Sequence, residues 1–351
     1  MHLHASDNCR FTVESKLFPN LTAALTGIKG GFYTQEDVKA MIAYGSNLGI
    51  RVVPEFDVPG HTKGFEPLAW GASPAIQFCN LTTMRCYQLL DDPAGVTYKT
   101  IHAVMGEMAA LFTDEVFNVG CDETWARGRC TARSVLSFEQ RLFNATLNEF
   151  KKTPAAWEEV LFDTKSATPQ TIIHLFEGGQ YPYHTPAEVA ATGRRVVQSA
   201  SSHFYFTEAA HGGPAGWSKC YWDISDGMVA NKSMLLGGEM SMWTDTYCYI
   251  DNCRDPKNIP IGHELFSPAA DVAFQKSIGG MIWPRGFVAA ASYWNWVNGT
   301  DPASPAFVEG IWKLNDALHA RNLSTCPSNC SCDQRSACGK PYITPSPPVS
   351  L

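Results

Sequence analysis

Strand-like and helix-like segments alternate along this chain, and that alternation constrains its fold more than any other feature. Short apolar runs lie at 50–57, 115–119, 155–157, 171–176, 195–200 and 235–240, and residues 1–7 read as the end of another strand. Helical periodicity runs through 34–44, 97–112 and 135–150, with further helices near 283–296 and 305–321. Thr34, with Asp37 three residues on, makes a capping-box-like helix start. Strands separated by helices at this spacing form a parallel sheet with helical crossovers. The count is about seven strands. Polar and aromatic residues gather just past the strand ends: Asp7, then Glu55, Asp57 and His61, then Asp122 and Glu123, then Trp157 and Glu158, then Tyr205, then Trp243 and Asp245. Chemistry at the C-terminal ends of many strands belongs to a (β/α)8 barrel. A doubly wound sheet would concentrate its site at one switch point and usually bring a Gly-rich phosphate loop, which this sequence lacks. The predicted fold is therefore α/β, a TIM (β/α)8-type barrel, with its first strand missing from this chain.

The stretch Val119-Gly120-Cys121-Asp122-Glu123-Thr124-Trp125 carries the chemistry. A buried strand leads straight into two adjacent carboxylates, and burying both costs several kcal/mol unless they are paired or used. The plainer alternative is a helix N-cap, with Asp122 capping and Glu123 favouring the dipole. Two carboxyls in contact push their pKa values apart, which leaves one acid and one anion for catalysis.

The chain has 351 residues, enough for one barrel, and its 45% hydrophobic and 17% charged content is that of a globular protein. A net charge of −7 argues against a nucleic-acid partner. No apolar run reaches membrane-spanning length. Twelve cysteines are many for a cytosolic enzyme, and Cys79/Cys86 and Cys248/Cys253 have the spacing of small disulfide-closed loops. Sequons at Asn20, Asn80, Asn144, Asn231, Asn298, Asn322 and Asn329 point the same way, to a secreted or lysosomal/vacuolar glycoprotein. No signal peptide is visible, so a longer precursor is expected. Residues 1–325 are read as the catalytic barrel, and 326–351 as a Cys/Pro-rich tail. Its Cys326, Cys330, Cys332 and Cys338 suit a disulfide-tied cap, with a zinc knuckle as the alternative.

Six stretches resemble the glycoside hydrolase family 20 β-N-acetylhexosaminidases: His2-Leu3-His4-Ala5-Ser6-Asp7, Glu14 to Pro19, Gly49 to Thr62 with its Pro-Glu-Phe-Asp-Val-Pro-Gly-His core, Val119 to Thr124, Gly237 to Trp243, and Trp283-Pro284-Arg285. Order and spacing hold from about residue 1 to 296. The resemblance implies a retaining exo-hydrolase of terminal β-linked GlcNAc or GalNAc, in which the sugar's own acetamido oxygen attacks and an oxazolinium ion forms. It implies that Glu123 is the general acid/base, that Asp122 holds the acetamido N–H, and that Asp7 and His61 relay to Glu123. It places Trp157, Trp243, Tyr205, Asp245 and Phe176 at the sugar. Glu55 and Asp57 are expected behind them as supports, and His4 as support or packing. No metal and no cofactor are implied, although His2 and His4 have the His-X-His spacing of a metal pair. The expected partners are a carbohydrate substrate and, in a homodimer, a second copy, with no nucleic acid and no membrane span. Departures from the pattern are Thr207 where an Asp is expected, Asp245 where Glu is usual, and Phe176 in place of Trp. The family's first barrel strand and preceding non-catalytic domain have no counterpart in the sequence. The alternative reading is a catalytically impaired sugar-binding remnant of the same family.

Overall fold

The computed structural model describes residues 1–8, 10–23, 31–69, 75–79, 88–124, 130–176, 184–206, 219–243, 279, 282–321 and 323. Seven strands follow one another in chain order: β1 (His2–Ser6), β2 (Val53–Phe56), β3 (Val116–Asn118), β4 (Thr153–Trp157), β5 (Ile172–Leu175), β6 (Val196–Gln198) and β7 (Leu235–Gly238). Every described pairing is parallel. This is the predicted barrel architecture with seven strands, and the observed bounds lie within a few residues of those read from the sequence. The chain forms two compact units, residues 1–174 with 192–195, and 175–191 with 196–351.

In the first unit, α1 (Asn20–Ala23), α2 (Gln35–Asn47), α3 (Val96–Leu111), α4 (Ala132–Asn148) and α5 (Glu159–Phe162) lie between the strands in sequence. The capping box predicted at Thr34 is present: its hydroxyl accepts the Asp37 N–H, and the Asp37 carboxylate accepts the Thr34 N–H at 2.8 Å. Strands covered on both faces read as unbroken apolar runs, and all three residues of β3 are buried. Phe56 stacks on Phe117 at 5.8 Å between ring centres, meets Phe112 edge-on at 6.0 Å and packs on Phe11 at 5.4 Å. These rings are fully buried and form a packed aromatic layer among β1–β3.

The second unit holds α6 (Pro186–Ala191), α7 (Ser201–Phe204), α8 (Arg285–Asn295) and α9 (Pro305–His319). Its core is built on Phe204, Phe206, Val288, Ala289 and Ile311. Arg285 is buried there; its guanidinium donates to the Phe206 carbonyl at 2.7 Å and lies over the Phe206 ring.

The disulfide expectation at Cys79 needs correction. Cys79 bonds Cys130, 51 residues away, and not Cys86. Phe78 and Leu89 form an antiparallel bridge that sets Cys79 beside Gln88, with the Cys79 N–H donating to the Gln88 carbonyl at 2.8 Å. The Gln88 side chain in turn accepts the Cys130 N–H at 3.1 Å, which brings the two thiols together. Spacing along the sequence carries no trace of that folded-back strand. Cys86, Cys248, Cys253 and the tail 326–351 lie outside the described residues.

Candidate active site

Past β3 the chain turns through an irregular loop. Gly120, Cys121 and Glu123 all take left-handed backbone angles, with φ of 69°, 67° and 51°. For non-glycine residues this conformation costs about 1–3 kcal/mol each and persists only where the surroundings impose it. Here three side chains impose it. Asn118 accepts the Gly120 N–H at 2.8 Å, Asp57 accepts the Cys121 N–H at 3.0 Å, and Glu159 accepts the Glu123 N–H at 3.1 Å. Gly120 has no alternative residue, because a Cβ there would sit 2.0 Å from Asp57 Oδ1. The Gly120 carbonyl accepts the Trp157 N–H at 3.0 Å, and the Gln88 amide donates to the Thr124 carbonyl. The result is two carboxylates on a rigid, strained turn at a strand end; neither caps a described helix.

Four of the predicted residues meet in the first unit. His61 Nδ1 lies 3.1 Å from Asp7 Oδ1, and His61 Nε2 lies 3.3 Å from Glu123 Oε2 and 3.5 Å from Asp122 Oδ2. The Nε2 contacts are ion-pair distances without aligned hydrogen bonds. Burial alone would strip the His61 proton, but Asp122 and Asp7 more than offset it, and the pKa stands well above the ordinary histidine value. Burial likewise opposes the Asp7 charge, yet His61 and His4 hold its carboxyl well below the usual range. Asp7 and His61 are therefore an anion and a cation.

The relay extends further back than the sequence reading placed it. His4 Nε2 bonds Asp7 at 3.0 Å and Nδ1 bonds Glu55 at 2.7 Å. Burial works against its charge, but Glu55 and Asp7 prevail and raise the pKa to about 10. Both ring nitrogens of His4 are thus committed to carboxylates. Glu55 is held below its ordinary value by His4 and His2 despite full burial, and it also accepts the Trp157 indole N–H at 2.8 Å.

Asp57 and Asp122 form a second pair. Burial first, then the neighbouring Asp122, pushes Asp57 well above the carboxylate range. Asp122 is also raised by burial, with His61 pulling the other way. Asp57 keeps the proton, since it is fully buried while Asp122 faces the His61 cation. Asp57 Oδ1 accepts the Cys121 N–H, and the Asp57 side chain also hydrogen-bonds Asp122, which lowers the Asp122 pKa. Asp122 Oδ1 is buried and has no hydrogen-bond partner among the described residues. A buried carboxylate oxygen short of a donor is a position that a ligand donor can fill.

Trp157, predicted at the sugar, is buried in the first unit, edge-on to His174 at 5.4 Å. Phe176, Tyr205 and Trp243 belong to the second unit. Phe176 is half-buried just past β5, Tyr205 is half-buried and bridges Ser241, and Trp243 is half-buried two residues beyond that bridge. Asp245 and Thr207 lie outside the described residues. Sequence reasoning passed over Glu159, Glu139 and Gln88. A Glu opening a helix reads as an ordinary dipole partner, and a Glu within an amphipathic helix reads as surface. Glu139 is fully buried on α4 and takes hydroxyl bonds from Thr124 at 3.3 Å and from Thr164 and Ser166 at 2.6 Å.

Comparison with known proteins gives a consistent result. The family model described as glycosyl hydrolase family 20, catalytic domain, matches residues 1–296. A β-hexosaminidase subunit A2 of Dictyostelium discoideum is 29% identical over 301 residues, 76% of this chain and 52% of that protein. The β-hexosaminidase subunit beta of Mus musculus is 26% identical over 302 residues, 76% of this chain and 53% of that one. The chain spans about half the length of these curated relatives. Among solved structures, a GH20 β-N-acetylhexosaminidase from Streptomyces coelicolor A3(2) superposes with a TM-score of 0.69 at 20% identity, over 93% of this chain and 64% of that one, a likeness of fold.

Proposed function

The chain belongs to glycosyl hydrolase family 20, and from that premise we propose that it is the catalytic part of a retaining exo-β-N-acetylhexosaminidase acting on terminal β-linked GlcNAc or GalNAc. The observation that carries this reading is the buried, unpartnered Asp122 Oδ1 beside Glu123. A 2-acetamido N–H supplies the donor that this oxygen lacks, and the bond turns the acetamido carbonyl toward the anomeric carbon. The carbonyl oxygen attacks, the glycosidic bond breaks, and the proton of Glu123 goes to the leaving oxygen. The oxazolinium ion that forms carries its positive charge next to Asp122. Glu123, now an anion, faces the His61 cation and then takes a proton from the water that opens the ring. Preorganised charges of this kind act without reorganisation at the moment of reaction. Trp157, Trp243, Tyr205, Asp245 and Phe176 are proposed to line the sugar subsite. We also place the protein in the secretory pathway, as a secreted or lysosomal/vacuolar glycoprotein.

The test is hydrolysis of aryl β-GlcNAc and β-GalNAc glycosides with good and poor leaving groups. Glu123→Gln should lose turnover of poor leaving groups by about 10²–10⁴ and far less of activated ones, because an amide has no proton to give. Equal losses on both would remove Glu123 from the acid role. Tight binding of an oxazoline-like inhibitor with no turnover would favour the sugar-binding remnant instead.

A further inference from the structure

We propose that Glu159 is a positioning residue for the proton donor: its carboxyl accepts the Glu123 N–H and thereby holds Glu123 in its left-handed backbone conformation. The inference rests on Glu123 being the acid/base, as proposed above.

Glu159 opens α5, directly after β4, and is almost fully buried. Its Oε1 accepts the Glu123 N–H at 3.1 Å. Its Oε2 is buried with no hydrogen-bond partner among the described residues. Backbone N–H bonds to its carboxyl favour the charged form but are outweighed. Burial comes first, and Asp122 and Glu158, both acidic, come next in pushing its pKa well above the ordinary value. The Cys121 thiol beside this loop is itself pushed up by burial and by the surrounding acids, Glu159 among them, so no cation from that side offsets them. A neutral Glu159 adds no negative charge beside Asp122, yet supplies the acceptor that a strained turn requires. Asp57 acts on Cys121 in the same manner, which makes two neutral acids serving as backbone acceptors in one loop.

The discriminating variants are Glu159→Gln and Glu159→Met, which match the side chain in size. Gln keeps a carbonyl acceptor and Met removes it. On a poor-leaving-group glycoside, Glu159→Gln should keep a kcat close to that of the wild type, with the basic limb of its pH profile unmoved. Glu159→Met should fold, keep its KM and lose about 10²-fold in kcat, the scale of a misplaced catalytic group. Four outcomes overturn the proposal: Met as active as wild type, Met unable to fold (a role in the fold alone), Gln as impaired as Met, or a basic limb displaced in Gln, which would mean that the native acid is ionised. Wild-type enzyme and Glu123→Gln run alongside keep the two readings apart. Failure of the leaving-group signature in Glu123→Gln strikes the acid role of Glu123, and the Gln/Met contrast strikes that of Glu159.

Discussion

Asp122 illustrates how one atom decides a role. Its Oδ2 faces His61 and its Oδ1 faces no described donor. On the proposed mechanism its charge matters most once the oxazolinium has formed, so Asp122→Asn should lower kcat far more than it raises KM, and a variant whose only defect is in KM would contradict that. Gly120 is just as constrained. Gly120→Ala drives a methyl into Asp57, detaches the Cys121 tether and should lower activity by about 10²-fold with a clear fall in Tm. Asp7, His61, Asp122 and Glu123 were legible in the sequence because a parallel barrel sends chemistry to strand ends, and each stands just past one. Glu159 was not. Its function lies in which neighbours it touches, and spacing does not encode that a helix-opening Glu turns back to a loop 36 residues away.

Helix α4 carries a further buried acid of the region, Glu139. Burial lifts Glu139 to about 7 against the pull of its Ser166, Thr164 and Thr124 hydroxyl bonds, and Asp163 adds to the rise. Below the unfolded glutamate value both states hold the proton and Glu139 is no burden. As pH climbs toward 7 the unfolded chain releases its proton while the folded one retains it, so stability drains away across that interval, on the order of 3 kcal/mol. Glu139→Gln should flatten the dependence: its Tm advantage over the wild type grows between mildly acidic and neutral pH, and a constant difference would refute the account. The Cys79–Cys130 bond closes a loop of 51 residues across the same region. Reduction, or Cys79→Ser with Cys130→Ser, should remove up to roughly 4 kcal/mol of stability, read by thermal unfolding. The strands and long helices were readable because their apolar periodicity is local. The disulfide and the helical turn Lys63–Leu68 were not, since a long-range bridge has no periodicity and a six-residue turn has too little of it.

For the whole molecule, the surface is where the secretory assignment meets a measurement. The sequons at Asn20, Asn144, Asn231 and Asn298 are all exposed. Expression through a eukaryotic secretory route should add glycan at these asparagines, removable by endoglycosidase; an unmodified mass at all four would speak against the assignment. No helix among the described residues is long and apolar enough to cross a membrane. The ionic lattice of β1–β3 has its own consequence for the protein's travels. Asp7 and Glu55 hold their charge far below neutrality, His4 and His61 keep theirs well above histidine's ordinary value, and Asp57 retains its proton. A vesicle that acidifies around such a molecule alters none of these five groups. This ionic lattice should thus act as an insulated circuit, the same in a neutral export compartment as in an acidic digestive one, and neutron density should find the same deuterons on Asp57, His4 and His61 in crystals grown at either pH.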